Sequence, residues 1–150
     1  MDISQISQQL DIKPPFLMID TFSVVEKGEK AIATKSLSPN EWFFDCHLPH
    51  SQVMPATLQI EGMLQTLVLL IYDTYDHGET RAFVNDIQVK VLSASTPENT
   101  LEFVATLSPM RRGITKGEVI GSSDGKVVCK GSFSYASPKF MLQPKMEAKK

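Results

Sequence analysis

The sequence predicts an α+β fold in which one long, buried helix packs against a mainly antiparallel sheet of about six strands. Three observations carry this. After Pro55 the chain runs to about Asp73 with Gly62 as its only glycine and no further proline, and Leu58, Met63, Leu67, Leu70 and Ile71 recur at helical spacing. Val68 and Leu69 fill the opposite side of the second half, so this helix is apolar nearly all round and something must wrap it. Two strand-like stretches precede the helix and four longer ones follow, an order that supplies no βαβ crossover and so selects an antiparallel sheet.

Residues 1–150 are expected to form one domain, long enough to bury a core without disulfides or a structural metal. Apolar residues make up 42% of the chain and charged residues 21%, an ordinary globular composition. A formal charge of -2 provides no field to gather a polyanion, which argues against a nucleic-acid partner. Cys46 and Cys129 lack metal-ligand spacing and read as reduced thiols, so no metal is expected. Met1 to Leu10 is polar, without the apolar core of a signal peptide. The longest apolar run, Leu67 to Ile71, is far short of the roughly 20 residues that cross a bilayer. A soluble, cytoplasmic protein with no membrane partner is the expectation.

Taken in order, Pro15 to Glu26 and Ala31 to Leu37 read as a first strand pair joined at Lys27-Gly28. Asn40 to Pro49 reads as an aromatic-rich loop leading into the helix. His77, beside Gly78, reads as a helix C-terminal residue facing the dipole. Arg81 to Leu92, Thr100 to Pro109, Ile114 to Ser122 and Lys126 to Ser137 then read as strands, with turns at Pro97-Glu98-Asn99, Arg112-Gly113 and Asp124-Gly125. Asp124-Gly125 is the clearest hairpin signal. From Pro138 onward apolar anchors are few, and residues 139–150 are expected to be a mobile tail.

Candidate chemistry concentrates between Asn40 and Gln65. Trp42, Phe43 and Phe44 lead to His47 just before Leu48-Pro49, and Val53-Met54-Pro55 runs into the helix. Glu61 comes about two turns into that helix among apolar neighbours, where a carboxylate is costly unless it is paired or has a raised pKa. With Pro55 near the first helical position, the free N–H groups of Ala56 and Thr57 point out of a positive dipole end and suit an oxygen acquiring negative charge. A base, a carboxylic acid and paired amide donors are the parts needed to remove a proton beside a carbonyl and expel a β-hydroxyl. Taken singly, His47 also reads as a hydrogen-bonded core histidine and Glu61 as a solvent-facing helix residue. Asp45, His50 and Asp86 read as loop or surface residues.

The sequence resembles the bacterial β-hydroxyacyl-[acyl-carrier-protein] dehydratases. Pro15-Phe16-Leu17-Met18-Ile19-Asp20 is similar to that family's opening block, and Asn40-Glu41, Phe43-Phe44 and His47 to its run into the catalytic histidine. The most specific block is Val53-Met54-Pro55 followed by Leu58, Glu61 and Gln65 at the family's spacing. The resemblance implies a hot-dog fold, with His47 as base, Glu61 as acid, and the Ala56 N–H holding the thioester carbonyl. It implies a pocket including Phe44, Val53, Met54, Pro55, Leu58 and Gln65. It further implies a homodimer, possibly assembled further, whose sites take the histidine from one subunit and the glutamate from the other. The substrate would be a β-hydroxyacyl thioester on the phosphopantetheine of an acidic acyl carrier protein or on coenzyme A, with no other cofactor. Lys90, Arg111, Arg112 and Lys116 are then docking points for the carrier.

The chain departs from the family pattern in places. Cys46, Ala56 and Gly62 stand where the family has glycine, glycine and alanine, Pro49-His50-Ser51-Gln52 replaces a Pro-Gly-x-Pro loop, and Pro97-Glu98-Asn99 replaces Pro-Gly-Asp. The resemblance implies a role in fatty-acid or related lipid or polyketide synthesis, and these changes suggest a divergent member from a specialised lipid or polyketide pathway rather than the housekeeping cycle. Two other functions fit the same residues: a hot-dog thioesterase using Glu61 to activate water, or a non-catalytic acyl-binding or scaffold subunit.

Overall fold

The computed structural model describes residues 1–75 and 81–141. His77 and the tail from residue 142 lie outside the described residues. In chain order the elements are helix α1 (Ile3–Leu10), strands β1 (Thr21–Glu26) and β2 (Lys30–Ser36), helices α2 (Trp42–Cys46) and α3 (Ala56–Thr74), then strands β3 (Phe83–Val91), β4 (Thr100–Leu107), β5 (Ile114–Ser123) and β6 (Lys126–Ala136). A short 3₁₀ turn, Pro138–Phe140, follows.

The six strands form one sheet in the order β1-β2-β4-β5-β6-β3, and every neighbouring pair is antiparallel. Helix α3 lies across the middle of the sheet, against β4, β5 and β2. This is the hot-dog arrangement the resemblance implied. Burial alternates along β5, with Thr115, Gly117, Val119 and Gly121 turned inward. Gly117 matters here because a Cβ would lie 2.5 Å from Leu67 Cδ1 and 2.8 Å from Thr106 O, so its absence lets α3 settle onto the sheet. The α3 residues Met63, Leu67, Leu69, Leu70 and Ile71 are nearly inaccessible, together with Phe103, Ala105 and Val119 from the facing strands. The all-round apolar character of α3 is therefore accounted for by wrapping.

Turn chemistry matches the local sequence. Asp124 and Gly125 both have positive φ, 52° and 78°, as a two-residue primed hairpin turn requires, and Arg112 and Gly113 repeat the pattern at 52° and 79°. Glu98 also has positive φ, while the Asn99 side chain accepts from the N–H and hydroxyl of Thr96.

Three features depart from the sequence expectation. Met1 to Leu10, expected only to be polar, contains α1, whose Gln5 N–H donates to the Asp2 side chain while the Asp2 N–H donates in return to Gln5 Oε1. The Asn40–Pro49 loop contains α2, one helical turn holding Phe43 and Phe44 in the core. The first strand begins at Thr21, not near Pro15, because the Phe16 carbonyl and the Met18 N–H are bonded to the side-chain amide of Gln65 and do not join the sheet. At the other end, residues 139–141 are placed, with the Phe140 ring 6.1 Å from that of Tyr75. No described helix is long and apolar enough to cross a membrane.

Candidate active site

His47 caps the C-terminus of α2, its N–H donating to Phe43 O at 3.0 Å. Its ring is half-buried, and Nδ1 lies 3.2 Å from the Val53 carbonyl oxygen. A carbonyl only accepts, so Nδ1 is the donor in this contact, and in the neutral ring Nε2 is the acceptor. The short helix is anchored from the other end by Lys35, whose Nζ lies 3.0 Å from Glu41 Oε1 and 3.4 Å from Asp20 Oδ1. Lys35 is a buried cation with two carboxylate partners, the condition under which burial of a charge is tolerated.

The start of α3 faces the same space. Pro55 is the N-cap, next to the first helical position as expected, and the first bonds back to its carbonyl come from Leu58 and Gln59 at 3.0 and 3.1 Å. No described residue accepts from the N–H of Ala56 or Thr57, so both donors remain open at the positive end of a helix of 19 residues. His47, Val53, Met54, Ala56 and Gln59 line a cavity of ≈ 380 Å³ whose far wall is the chain leaving β3, from Val91 to Ala94. Met54 N–H donates to Ser95 O at 2.7 Å and Ser95 Oγ to Gln59 Oε1 at 3.2 Å, which ties that wall to the helix. A larger hollow of ≈ 1020 Å³ beside α1 contains neither His47 nor Glu61.

Glu61 is placed differently. At 3.6 residues per turn it points about 140° away from Ala56 and about 160° away from Gln59 around α3. Its Oε1 accepts from Gln65 Nε2 at 3.3 Å, and the same amide donates to Phe16 O at 3.1 Å while its Oε1 accepts from Met18 N–H at 2.8 Å. Burial pushes the Glu61 carboxyl pKa up, and the Gln65 bond offsets only part of that rise. Nearby, Tyr135 donates to Leu64 O at 3.0 Å; its phenol is raised by burial and then by the charge on Glu61.

A single chain thus brings together His47, Val53, Met54 and Ala56, and it holds Glu61 on another face. Phe44 lies in the core against Phe43, Pro55 caps the helix, Leu58 packs on the core edge, and Gln65 clamps the Phe16–Met18 segment; none of these four lines the His47 cavity. Asp45, His50 and Asp86 are exposed, as the sequence indicated, and Lys90, Arg111, Arg112 and Lys116 are exposed as well. Among the described residues no cluster of three or more His, Cys, Asp or Glu could hold a metal ion. Sequence reasoning missed Gln59, Ser95 and Lys35. A glutamine between apolar Leu58 and Ile60 on a mostly apolar helix was the available signal for Gln59; the other two depend on tertiary contacts.

Residues 12–132 match the FabA-like domain family. A 3-hydroxyacyl-[acyl-carrier-protein] dehydratase FabZ of Roseiflexus castenholzii is 32% identical over 91% of this chain and 96% of its own, and one from Bacillus cytotoxicus is 30% identical over 91% and 95%. Among solved structures, the dehydratase heterocomplex ApeI:P of Xenorhabdus doucetiae aligns with TM-score 0.69 at 15% identity, over 89% of this chain and 90% of that one. A mutant thioesterase of Pseudomonas aeruginosa aligns equally well, with TM-score 0.69 at 15% identity over 91% and 93%. These two share the fold. Sequence, fold and the blocks around His47 and Glu61 agree, and the chain belongs to the FabA-like domain family as a divergent relative of the β-hydroxyacyl-[acyl-carrier-protein] dehydratases.

Proposed function

We propose that this hydro-lyase dehydrates a β-hydroxyacyl thioester to the trans-α,β-enoyl thioester, with His47 as base and Glu61 of a second copy as acid. The observation that carries the reading is the shared cavity of His47 and the open N–H end of α3. The thioester carbonyl accepts from the Ala56 N–H, and His47 Nε2 removes the α-proton as charge develops on that oxygen. Glu61 delivers a proton to the β-hydroxyl, the C–O bond breaks, and water leaves as the α,β double bond forms. Burial favours the protonated carboxyl at Glu61, which suits an acid and disfavours the water-activating carboxylate of a thioesterase.

The same geometry supports a homodimer. Glu61 faces away from its own His47 cavity, and β3, at the sheet edge bordering that cavity, leaves Phe83, Val84, Ile87 and Val91 exposed. A long apolar edge is a template for pairing with another strand. The relatives' names supply the carrier: an acyl carrier protein, with coenzyme A as the other source of the same phosphopantetheine thiol. Exposed Lys90 and Lys130 stand opposite each other on β3 and β6 and provide positive charge for an acidic carrier, with Arg111, Arg112 and Lys116 as further contacts. The chemistry requires no other cofactor, and a cytoplasmic setting suits two free cysteines.

The test is turnover of a β-hydroxyacyl-carrier thioester by the purified protein, followed by enoyl absorbance. Enoyl product supports the assignment; release of free thiol with no enoyl intermediate replaces it with the thioesterase reading. Binding of the acyl group without chemistry would leave an acyl-binding subunit.

A further inference from the structure

Lys35 occupies an inward-facing position of β2, two residues after Ala33 and four after Ala31, both of which are fully buried in the core. An apolar side chain would sit there without electrostatic cost, whereas an ammonium only 7% exposed has to be paired. Exchanging a buried ion pair for apolar residues is often neutral or stabilising, so stability alone does not account for this lysine. Its closest partner, Glu41 Oε1 at 3.0 Å, belongs to the N-cap residue of α2. The Glu41 side chain makes no cap bond and reaches to Lys35 instead. A helix of five residues is too short to hold itself in water, so the lie of α2 is set by what grips it from outside. Phe43 and Phe44 bury its inner side, and the Trp42 indole N–H donates to Pro15 O at 3.1 Å. The Lys35–Glu41 pair holds the entry of α2, and His47 stands at its exit. Lys35 is itself fixed, because Asp20, its second partner, accepts from the Ser36 N–H at 2.7 Å and donates its own N–H to Thr34 O at 2.7 Å.

We propose that Lys35 is a positioning residue for the base: through Glu41 it sets how α2 lies on the sheet, and with it the orientation of the His47 ring at the cavity. The lysine never meets substrate and acts only through the helix that carries His47. A small displacement of a catalytic group is enough to lower the rate of the chemical step, while substrate binding is left to the cavity wall and the start of α3. The effect on turnover rests on the dehydratase reading; the effect on the His47 ring does not.

The experiment compares wild type with Lys35→Met, Glu41→Leu, Glu41→Gln and the double variant Lys35→Met/Glu41→Leu, by enoyl formation, thermal melting and the His47 imidazole resonances in NMR spectra. Lys35→Met keeps the length of the side chain, and the Asp20 and Glu41 carboxylates, 28% and 20% exposed, can turn to water. Its kcat is expected to fall by about tenfold or more with KM within about twofold, in a protein that still melts cooperatively. Glu41→Leu should fall as far, Glu41→Gln, which still offers Lys35 an oxygen, should keep most of the activity, and the double variant should lose no more than either single one. The His47 resonances should move in Lys35→Met and Glu41→Leu and stay in place in Glu41→Gln. Wild-type kcat in Lys35→Met, equal losses in Glu41→Gln and Glu41→Leu, losses that multiply in the double variant, or unmoved His47 resonances would overturn the proposal. The two Glu41 variants decide alone if Lys35→Met fails to fold. If the wild-type protein turns over no β-hydroxyacyl thioester, the dehydratase reading fails, and the resonances still decide: a ring moved by Lys35→Met and Glu41→Leu but not by Glu41→Gln supports the positioning role, and an unmoved ring overturns it.

Discussion

At the residue scale the proposed site depends on two side chains held in different surroundings, His47 beside a backbone carbonyl and Glu61 beside the Gln65 amide. His47 is oriented by one bond, from Nδ1 to Val53 O, so His47→Ala removes the proposed base while losing a single half-buried hydrogen bond. Dehydration should fall by about 10²–10⁴-fold, with a stability change of only about 1 kcal/mol. Steady-state enoyl formation and a thermal melt check the two halves, and turnover at the wild-type rate would remove His47 from the mechanism. For Glu61 the raised pKa sets the sign of a pH effect. Below the ordinary glutamate value the residue is protonated both folded and unfolded, and the full contribution is present. As pH rises through the higher folded value that contribution is lost, because the unfolded chain gives up its proton more readily. Glu61→Gln cannot ionise, so its stability relative to wild type should grow across that window, while dehydration drops at every pH. Melting curves of the two proteins that stay parallel with pH would show that burial does not govern this carboxyl.

At the scale of the element, Gly62 shows why a departure from the family pattern is tolerated. A Cβ at this position of α3 would lie 2.8 Å from Phe103 Cζ, 2.9 Å from Cε2 and 3.3 Å from the Met18 carbonyl oxygen. The Phe103 ring of β4 is completely buried and cannot swing clear, so it occupies the space an alanine methyl needs. Gly62→Ala should destabilise by about 1–3 kcal/mol, and Phe103→Leu in the same chain should recover part of that loss. Chemical denaturation of the two single variants and the double variant measures the coupling, which strict additivity would disprove. The same α3 was legible in the sequence because its apolar positions repeat at helical spacing, and β4 to β6 because alternation and primed-turn residues agree. Helix α1 carried a readable capping box at Asp2 and Gln5, obscured by its Ser and Gln content, whereas α2 is one turn without a side-chain cap and has no periodic signal to read. Pro15 to Asp20 looked like a strand because β-favouring residues say nothing about Gln65, far along the chain, taking their backbone groups. Within the candidate site, His47 and Ala56 lay in one contiguous motif. Ser95 reaches Gln59 across a separation of 36 residues, which no local pattern encodes.

For the whole molecule, the decisive question is which Glu61 serves which His47. Helix rotation turns Glu61 away from the His47 cavity of its own chain, and the apolar edge of β3, with Phe83 62% and Ile87 46% exposed, borders that cavity through Val91. In the proposed dimer, two-fold pairing along β3 is isologous, so two copies would make two equivalent sites, each with the proposed base from one chain and the proposed acid from the other. Ile87→Lys places a charge in the middle of that edge, and it should yield monomers by sedimentation and lose dehydration although His47 and Glu61 are untouched. Subunit mixing separates loss of pairing from damage to the chain itself. His47→Ala and Glu61→Gln homodimers are each inactive, but a dimer with one chain of each type has one site with both wild-type residues and one with neither. Random exchange makes half of the dimers mixed, so activity should return to about a quarter of wild type. No recovery after exchange confirmed by mass spectrometry would mean that acid and base act within one chain, and the geometry of α3 would then have to change on substrate binding.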